Sequence, residues 1–339
     1  MRLLQIDNEA GDAFSLVEFI GDDVPPYAIL SHTWSQTGGE VSYRDFVEGT
    51  GVSKMGYDKI RACGVHTAKK GLRYFWVDTC CIDKTSSAEL SEAINSMFRW
   101  YQKAAICFAY LDDVPPGLSI SEWQAANIRW FSRGWTLQEL VAPSEVEFYA
   151  SDWTFVGTKS EDCSSLSKIT KIHMRALRGW DLEQFSIAQR MSWASSRKTT
   201  RSEDVAYCLL GLFDVNMPLL YGEGGTKAFV RLQEKIMRGS DDQSLFAWNR
   251  RDTQAHHVHG LLAQSPVYFE SAGNIVALER SKISVPYSVT NSGLRISLMM
   301  APMIIREYVA ILGCKEVSFD TVSMDGWAQY KLFGHFGCF

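Results

Sequence analysis

The first part of the chain alternates short apolar runs with longer segments of helical periodicity, and no other feature constrains the fold as strongly. The apolar runs are residues 27–31, 72–78, 105–111 and 146–150. Short runs without polar alternation are typical of strands that are buried on both faces of a sheet. The order β-α-β-α-β-α-β therefore predicts a parallel sheet that is flanked by helices.

The segments between these runs carry signals for helix ends. A helical stretch over residues 53–70 is predicted to end at Gly71, since glycine commonly terminates helices. Ser86 and Glu89 fit a capping box, in which each side chain bonds the other residue's backbone N–H at a helix start. A short helix is predicted over residues 132–141.

The remainder of the chain changes character twice. Residues 158–243 favour helices, whereas the later apolar stretches SLFAW, PYSVT, LRISLMM and YVAIL alternate with Gly, Asn and Ser and predict a small antiparallel β unit. Residues 250–259 are predicted to be an exposed connector. The predicted division is an α/β core over 1–157, a helical part over 158–243 and a β-rich C-terminal region over 244–339.

Composition limits the classes of function. A chain of 339 residues with 46% hydrophobic residues can bury a large core, so it needs no disulfide or metal for stability. Its formal net charge of -5 and the absence of a Lys/Arg run argue against binding to nucleic acid or to anionic membranes.

Cysteine usage and the N-terminus favour the cytoplasm. Six of the eight cysteines lie in or beside apolar runs, where a reduced thiol packs as a small hydrophobic group. The first residues lack the pattern of a secretory signal peptide, and no apolar run is long enough to span a bilayer.

Polar residues follow the predicted strands at the places where open α/β sheets bind their ligands, the carboxyl ends. Ser31, His32, Thr33 and Trp34 follow the first strand. The loop after the second strand runs from Asp78 to Lys84 and includes Cys80, Cys81 and Asp83.

The predicted helix after the third strand carries Arg133, Trp135 and Glu139. Trp135 and Glu139 are four residues apart and so share one helical face. An aromatic plane beside a carboxylate suits a sugar-bearing or cationic ligand.

Four blocks of the sequence resemble the HET domain of fungal heterokaryon-incompatibility proteins. They are YAILSHTW, WVDTCCIDKTSSAELSEAINSMFRWY, FSRGWTLQELVAP and RMSWASSRKTTRSEDVAYCLLGLFDVNMPLLYGEG, in this order between about residues 27 and 240. The later stretches GLLAQSP and PYSVTNSGLRI resemble the segment that often follows this domain.

The resemblance implies a fold and a function. HET domains are similar to TIR domains, which have a flavodoxin-like parallel sheet, and HET proteins act in programmed cell death after unlike fungal cells fuse. Many TIR domains hydrolyse NAD with a Glu in a Ser-x-Trp-Cys-x-x-Glu-Leu motif. The run from Ser132 to Leu140 is similar, with one extra residue before Trp135 and Thr136 in place of the Cys.

By this resemblance Glu139 is the candidate catalytic residue. The substrate-binding candidates are Ser31, His32, Thr33, Trp34, Asp78, Cys80, Asp83, Arg133 and Trp135. The loop that contains His32 departs from TIR enzymes, which tend to have an aromatic residue or Arg there. NAD is expected as the substrate, with no bound cofactor and no metal.

Several of these residues also have ordinary structural interpretations. Asp78 and Asp83 fit a turn that leads into a helix, and Cys80 fits the packed end of a strand. With His32 nearby, Cys80 could alternatively form a Cys–His nucleophile pair, but no local pattern of a protease supports that arrangement.

Two further segments have some features of a ligand site. The run Gly222-Glu223-Gly224-Gly225 precedes a predicted helix but lacks the Lys-Ser/Thr ending of a phosphate-binding loop, which favours a tight turn. His256, His257 and His259 have no Cys or carboxylate at zinc-like spacing, so a plain connector is favoured.

Two functions therefore remain open. In the first, the domain cleaves NAD when copies of it assemble. In the second, it is a non-catalytic TIR-like module that recruits partners. The expected partners are other HET domains or an incompatibility protein.

Overall fold

A computed structural model of the chain describes residues 1–21, 23–35, 38–249, 260–278, 288–290, 293–296, 298–302, 307–317 and 335–337. The chain divides into two compact units, Met1–Trp180 and Asp181–Phe339. The three-part division given above stays a prediction, because only the boundary between these two units is defined by the packing.

The first unit is built on one seven-stranded sheet. Its strands are β1 (Arg2–Ile6), β2 (Phe14–Glu18), β3 (Tyr27–His32), β4 (Tyr74–Trp76), β5 (Ile106–Tyr110), β6 (Val146–Tyr149) and β7 (Phe155–Thr158). Their order across the sheet is β2-β1-β4-β3-β5-β6-β7. The central strands β4, β3, β5 and β6 are parallel, whereas β1, β2 and β7 are antiparallel to their neighbours.

The four central strands coincide with the four apolar runs, so the predicted α/β class and the parallel core are confirmed. Strand β3 is buried along its whole length, as expected for a strand that has neighbours on both sides and helices on both faces. The antiparallel strands β1, β2 and β7 were not predicted.

Helices connect and cover the strands of this unit. They are α1 (Tyr43–Val47), α2 (Gly56–Lys69), α3 (Asp78–Cys81), α4 (Ser87–Lys103), α5 (Trp123–Ala126), α6 (Arg129–Ser132), α7 (Thr136–Val141), α8 (Cys163–Thr170) and α9 (Met174–Leu177), with 3₁₀ turns at Gly51–Ser53 and Ile120–Glu122. Helix α2 is followed by Gly71, whose φ of 73° confirms the predicted glycine terminator.

Only half of the predicted capping box at α4 forms. The Ser86 hydroxyl accepts the Glu89 N–H, as predicted. The Glu89 carboxylate, however, accepts the Asp83 N–H at 2.7 Å and pairs with Arg2. Glu89 therefore ties the β4–α4 loop to strand β1 instead of capping its own helix.

The predicted helix over residues 132–141 is wrong in its first turn. The chain forms two short helices, α6 and α7, which are separated at Arg133 by extended backbone. The Thr136 hydroxyl donates to the carbonyls of Trp130 and Arg133, at 2.5 and 3.0 Å. Those carbonyls thus accept a side-chain hydrogen bond although the helix is interrupted.

A buried lysine closes the carboxyl end of α7. Lys159 follows β7, is 2% exposed and donates its ammonium N–H groups to the carbonyls of Leu140 and Pro143. Cations are favourable beside the last carbonyls of a helix. Burial nevertheless lowers the pKa of Lys159 to about 8.

Replacing Lys159 with methionine is expected to reduce stability in a pH-dependent way. Between pH 8 and the ordinary lysine pKa the unfolded chain keeps a proton that the folded chain loses, so the parent gains stability as the pH rises. We expect the difference in unfolding free energy between parent and variant to grow by about 1 kcal/mol per pH unit there. Urea unfolding with reductant at several pH values measures it, and a constant difference would contradict the lowered pKa.

The second unit combines short helices with small antiparallel sheets. Its helices are α10 (Ile187–Ser192), α11 (Asp204–Tyr207) and α12 (Gly225–Met237), with 3₁₀ turns at Leu182–Gln184, Gly211–Phe213, Gln243–Phe246 and Pro266–Phe269. Its strands are β8 (Ile275–Ala277), β9 (Ser288–Thr290), β10 (Gly293–Arg295), β11 (Met299–Pro302), β12 (Glu307–Ile311), β13 (Cys314–Glu316) and β14 (His335–Gly337).

The predicted antiparallel strands of the C-terminal region are confirmed, as the pairs β8–β13 and β9–β10 and the three-stranded sheet β11–β12–β14. The stretch SLFAW was wrongly predicted as a strand. The Asp242 carboxylate accepts the Ser244 N–H at 2.9 Å and starts a 3₁₀ turn there.

The predicted connector at 250–259 lies outside the described residues. Within the described part of the chain, every helix is too short or too polar to cross a bilayer.

Candidate functional site at the switch point of the sheet

The sheet reverses its direction of growth at strand β3. From β3 the chain passes through α2 to β4 on one side, and then through α4 to β5 on the other side. The carboxyl ends of β3 and β5 therefore border the crevice in which open α/β sheets bind ligands. Ser31 and His32 end β3 there and pair with Ala109 and Tyr110 of β5.

Glu139 lies beside this strand end on helix α7. Its carboxylate accepts the Ser31 hydroxyl at 2.5 Å, and the Trp130 indole donates to the same hydroxyl oxygen at 2.8 Å. Ser31 and Trp130 are fully buried, and Glu139 is 7% exposed. The candidate catalytic carboxylate is thus enclosed at the switch point and not on the helix surface.

The hydroxyl of Tyr101, on α4, lies close to the same carboxylate. It donates to the Leu30 carbonyl at 3.0 Å. Burial, followed by the nearby charge of Glu139, raises the pKa of Tyr101 well above its usual value. Tyr101 therefore stays protonated and contributes a neutral dipole to the surroundings of Glu139.

Asp78 is the centre of a second polar cluster at the same edge. One carboxylate oxygen bonds His32 Nε2 at 3.0 Å, and the other accepts the Trp34 indole N–H at 3.0 Å and the Lys84 ammonium at 3.1 Å. Burial would raise the pKa of Asp78, but Lys84 and His32 hold it well below its usual value. Asp78 is therefore ionised at neutral pH and bonds three side chains around it.

Lys59 determines the hydrogen position on His32. Its ammonium, on α2, lies 3.1 Å from His32 Nδ1 and also donates to Glu40 at 2.5 Å. An ammonium can only donate, so Nδ1 accepts and Nε2 carries the hydrogen that is shared with Asp78. The chain Glu40–Lys59–His32–Asp78 thus connects α2 to the crevice.

Trp34 stands at the outer rim of this cluster. It is 51% exposed, and the Lys84 ammonium lies 3.8 Å from the centre of its ring. One indole face is covered by a cation, an arrangement that stabilises the position of the ring. A planar surface and an ammonium group therefore sit together at the mouth of the crevice.

Thr33 joins β3 to the loop after β5. Its hydroxyl donates to Asp112 at 3.1 Å, and Arg129 donates both to Thr33 at 2.7 Å and to Asp112 at 2.5 Å. The backbone N–H of Arg129 also bonds the Asp113 carboxylate at 2.7 Å. These contacts fix the start of α6 over the end of β5.

The remaining predicted residues have mainly structural contacts. Cys80 is fully buried, and burial raises the pKa of its thiol well above the usual value, which disfavours a nucleophile. Both His32 ring nitrogens bond Lys59 and Asp78, so no Cys–His pair forms. Asp83 accepts the backbone N–H and hydroxyl of Thr85 and so has the turn role.

Arg133 and Trp135 occupy the break between α6 and α7. Arg133 caps α6 through its backbone N–H, which bonds the Trp130 carbonyl, and Trp135 is the half-buried N-cap residue of α7. It is Trp130, and not Trp135, that bonds the hydroxyl bound to Glu139.

The glycine-rich run before α12 is a turn in which two backbone N–H groups are already hydrogen-bonded to a side chain of the protein. Gly222 and Gly224 have positive φ angles of 102° and 84°. Both donate their N–H groups to the Glu203 carboxylate, at 2.8 and 3.1 Å. The protein's own carboxylate therefore fills the anion position, in agreement with the tight-turn interpretation. His256, His257 and His259 lie outside the described residues.

Sequence reasoning missed Trp130, Arg129, Asp112, Lys59 and Glu40 as members of the site. Asp112 had a usable signal, because it directly follows an apolar run and so marks a strand's carboxyl end. The sequence contains no such signal for Lys59 and Glu40, since their contacts with the site depend on how α2 packs against the sheet.

Comparison with known proteins gives two family matches. Residues 27–116 match the model described as heterokaryon incompatibility protein (HET), and residues 227–272 match a domain of unknown function, DUF8212. The HET match covers β3, β4, β5 and the Asp78 cluster.

A curated relative extends the likeness beyond these segments. The chain is 49% identical over 251 residues to the vegetative incompatibility protein HET-E-1 of Podospora anserina. That match covers 72% of the chain but only 18% of the relative's length. No solved structure matches the chain. The resemblance seen in the sequence is thereby confirmed, and the chain belongs to the heterokaryon incompatibility (HET) family.

Proposed function

We propose that this chain is an effector of vegetative incompatibility that triggers cell death by hydrolysing the nicotinamide–ribose bond of NAD. The observation that carries the proposal is the Glu139 carboxylate, which accepts a hydroxyl group at 2.5 Å at the switch point of the sheet. The incompatibility role is supported by the match to HET-E-1. The TIR-like assignment is supported by the strand order around β3.

The hydrogen bond from Ser31 suggests how a ribose would be held. A ribose hydroxyl presents the same donor as the serine, so it can replace Ser31 on the Glu139 carboxylate. Cleavage of the glycosidic bond develops positive charge on the ribose. A fixed carboxylate in a site of low dielectric constant stabilises this charge strongly. Water then adds to the ribose carbon, and the products are nicotinamide, ADP-ribose and a proton.

The rim residues provide binding contacts in this proposal. Trp34 offers a partly exposed plane against a ring of the substrate, and Lys84 offers a cation for its phosphates. Asp78 and His32 hold Trp34 and Lys84 in position. Because Glu139 is 7% exposed, Ser31 and the α6–α7 segment must move before a ribose reaches it. Assembly of HET domains in the cytoplasm, or contact with an incompatibility partner, is the proposed cause of that movement.

The burial of Glu139 also supports a second function. Glu139 could serve only to fix α7 on β3, in which case the domain is a non-catalytic module that recruits partners. Enclosed carboxylates with protein hydrogen-bond partners commonly have such structural roles.

Measurement of NAD in cells and in vitro separates the two functions. Induced expression of the chain is expected to lower cellular NAD before viability falls, and the purified protein is expected to release nicotinamide and ADP-ribose from NAD. Chromatography of the nucleotides provides the measurement. Cell death at constant NAD would contradict the enzymatic proposal and support the recruiting module.

A further inference from the structure

A cleft of about 720 Å³ lies on the face of the sheet that α2 covers. Ser31 contacts α7 and the next residue, His32, contacts α2, and successive strand residues point to opposite faces. The cleft and Glu139 therefore lie on different faces of the same sheet. Its lining residues include Lys59, Arg61 and His66 of α2, Tyr110 of β5, and Ser151 and Trp153 of the β6–β7 turn.

Three aromatic rings form a stack along the cleft. Tyr110 and Trp153 are stacked with their centroids 4.8 Å apart and an interplanar angle of 17°. His66 stacks on Trp153 at 5.3 Å and 21°. Burial is the largest of the effects that lower the pKa of His66, so its ring is neutral at neutral pH. All three rings are half-buried, and their remaining surface forms a flat apolar wall.

Trp153 occupies a backbone position that favours glycine. Its φ is 64°, in the left-handed region, and its N–H bonds the Ala150 carbonyl at 2.9 Å while the Ala150 N–H bonds the Thr154 carbonyl. Hairpin turns of this kind usually place glycine there. A side chain in this conformation brings Cβ close to the following carbonyl oxygen and is disfavoured. A bulky residue held at such a cost points to a function for the indole.

Cations lie beside the aromatic wall. Arg61 is exposed and uses one guanidinium nitrogen to bond Asp58 at 2.7 Å, which leaves further N–H groups directed to solvent. Lys59 lines the cleft and joins it to His32. The carboxylate of Asp12, which also lines the cleft, accepts the Asn8 amide at 2.6 Å. A flat apolar surface with guanidinium and ammonium groups suits a planar base that carries a phosphate.

We propose that this cleft is a second ligand site, separate from Glu139, and that it binds a nucleotide. The base stacks on the outer face of Tyr110, whose other face is covered by Trp153, and the phosphate is bound by Arg61 and Lys59. The proposal does not depend on NAD hydrolysis, since it concerns binding on the other face of the sheet.

Calorimetric titration with AMP tests the site, with adenosine and ribose 5-phosphate as probes that lack one half of the ligand. AMP is expected to bind about 5- to 100-fold more tightly than either part, since stacking of one base contributes about 1–3 kcal/mol. Trp153→Gly is expected to weaken AMP binding about tenfold or more, because it removes the ring that holds Tyr110 in place for the base, while glycine suits the left-handed backbone.

Two controls make the outcome decisive. Trp180→Ala removes an exposed tryptophan, stacked under Arg175, that does not line the cleft, and it should leave AMP binding unchanged. Arg61→Ala, on the surface, should weaken AMP binding even if the Trp153 variant fails to fold. The proposal is overturned if AMP does not bind, if ribose 5-phosphate binds as well as AMP, or if Trp34→Ala abolishes binding while Trp153→Gly does not.

Discussion

Glu139→Gln is expected to slow NAD cleavage about 100-fold or more while the protein stays folded. Glutamine has the size of glutamate and keeps a carbonyl oxygen that can accept the Ser31 hydroxyl. It lacks the negative charge that stabilises the developing cation on the ribose. The rate of nicotinamide release, measured together with thermal unfolding of both proteins, gives the comparison.

The matched control is Glu92→Gln. Glu92 is an exposed residue of α4, so the same chemical change there removes a charge without touching the switch point. It should leave both the rate and the melting temperature unchanged. Equal rates for the parent and the Glu139 variant would show that this carboxylate has no catalytic role.

Asp78→Asn is expected to lower the free energy of unfolding by about 2 kcal/mol at neutral pH. The change weakens charge-assisted hydrogen bonds to His32, Trp34 and Lys84 at once. Because the folded state holds the pKa of Asp78 below its usual value, the stabilisation is fully present above the unfolded pKa and is lost as the pH falls towards the folded one. The difference between parent and variant should therefore shrink below about pH 4.

Asp83→Asn provides the comparison for this second variant. Its side chain accepts the backbone N–H and the hydroxyl of the neighbouring Thr85, and an asparagine can accept the same turn hydrogen bonds. Denaturant unfolding from acid to neutral pH should show a loss within about 0.5 kcal/mol for this control. An equally small effect at Asp78 would mean that the cluster around it does not stabilise the fold.

The central strands could be predicted because their signal is local. Strands β3 and β5 are apolar without interruption, and Gly71 adopts the left-handed conformation that makes it a helix terminator. The hairpin β1–β2 was missed, since RLLQI and FSLVE mix apolar and polar residues and their connecting loop is organised by the Asn8 side chain, which accepts three backbone N–H groups.

The secondary-structure predictions were wrong where a side chain forms hydrogen bonds with the backbone and interrupts a regular element. The helix around Glu139 is interrupted because the Thr136 hydroxyl donates to two carbonyls of the preceding turn. The stretch SLFAW becomes a 3₁₀ turn because Asp242 accepts a backbone N–H at its start. Such hydrogen bonds depend on local geometry that apolar periodicity does not record.

The candidate site was predictable only in its strand-end residues. Parallel strands bring their carboxyl ends to one edge, so Ser31, His32 and Asp78 had to lie near one another. Burial of Glu139 is not evident from the sequence, since a carboxylate on a short helix carries no signal that it faces a strand. Trp130 and Lys59 come from helices whose rotation about the sheet is set by tertiary packing.

Strand β3 ends with two adjacent side chains that serve opposite faces of the sheet. Ser31 bonds Glu139 on one face, and His32 bonds Lys59 and Asp78 on the other. A rotation of this strand end that frees Glu139 therefore also displaces His32 from Lys59, which lines the α2 cleft. The two faces thus share one peptide unit, that between Ser31 and His32. We expect ligand binding on one face of the sheet to change the ligand affinity of the other face.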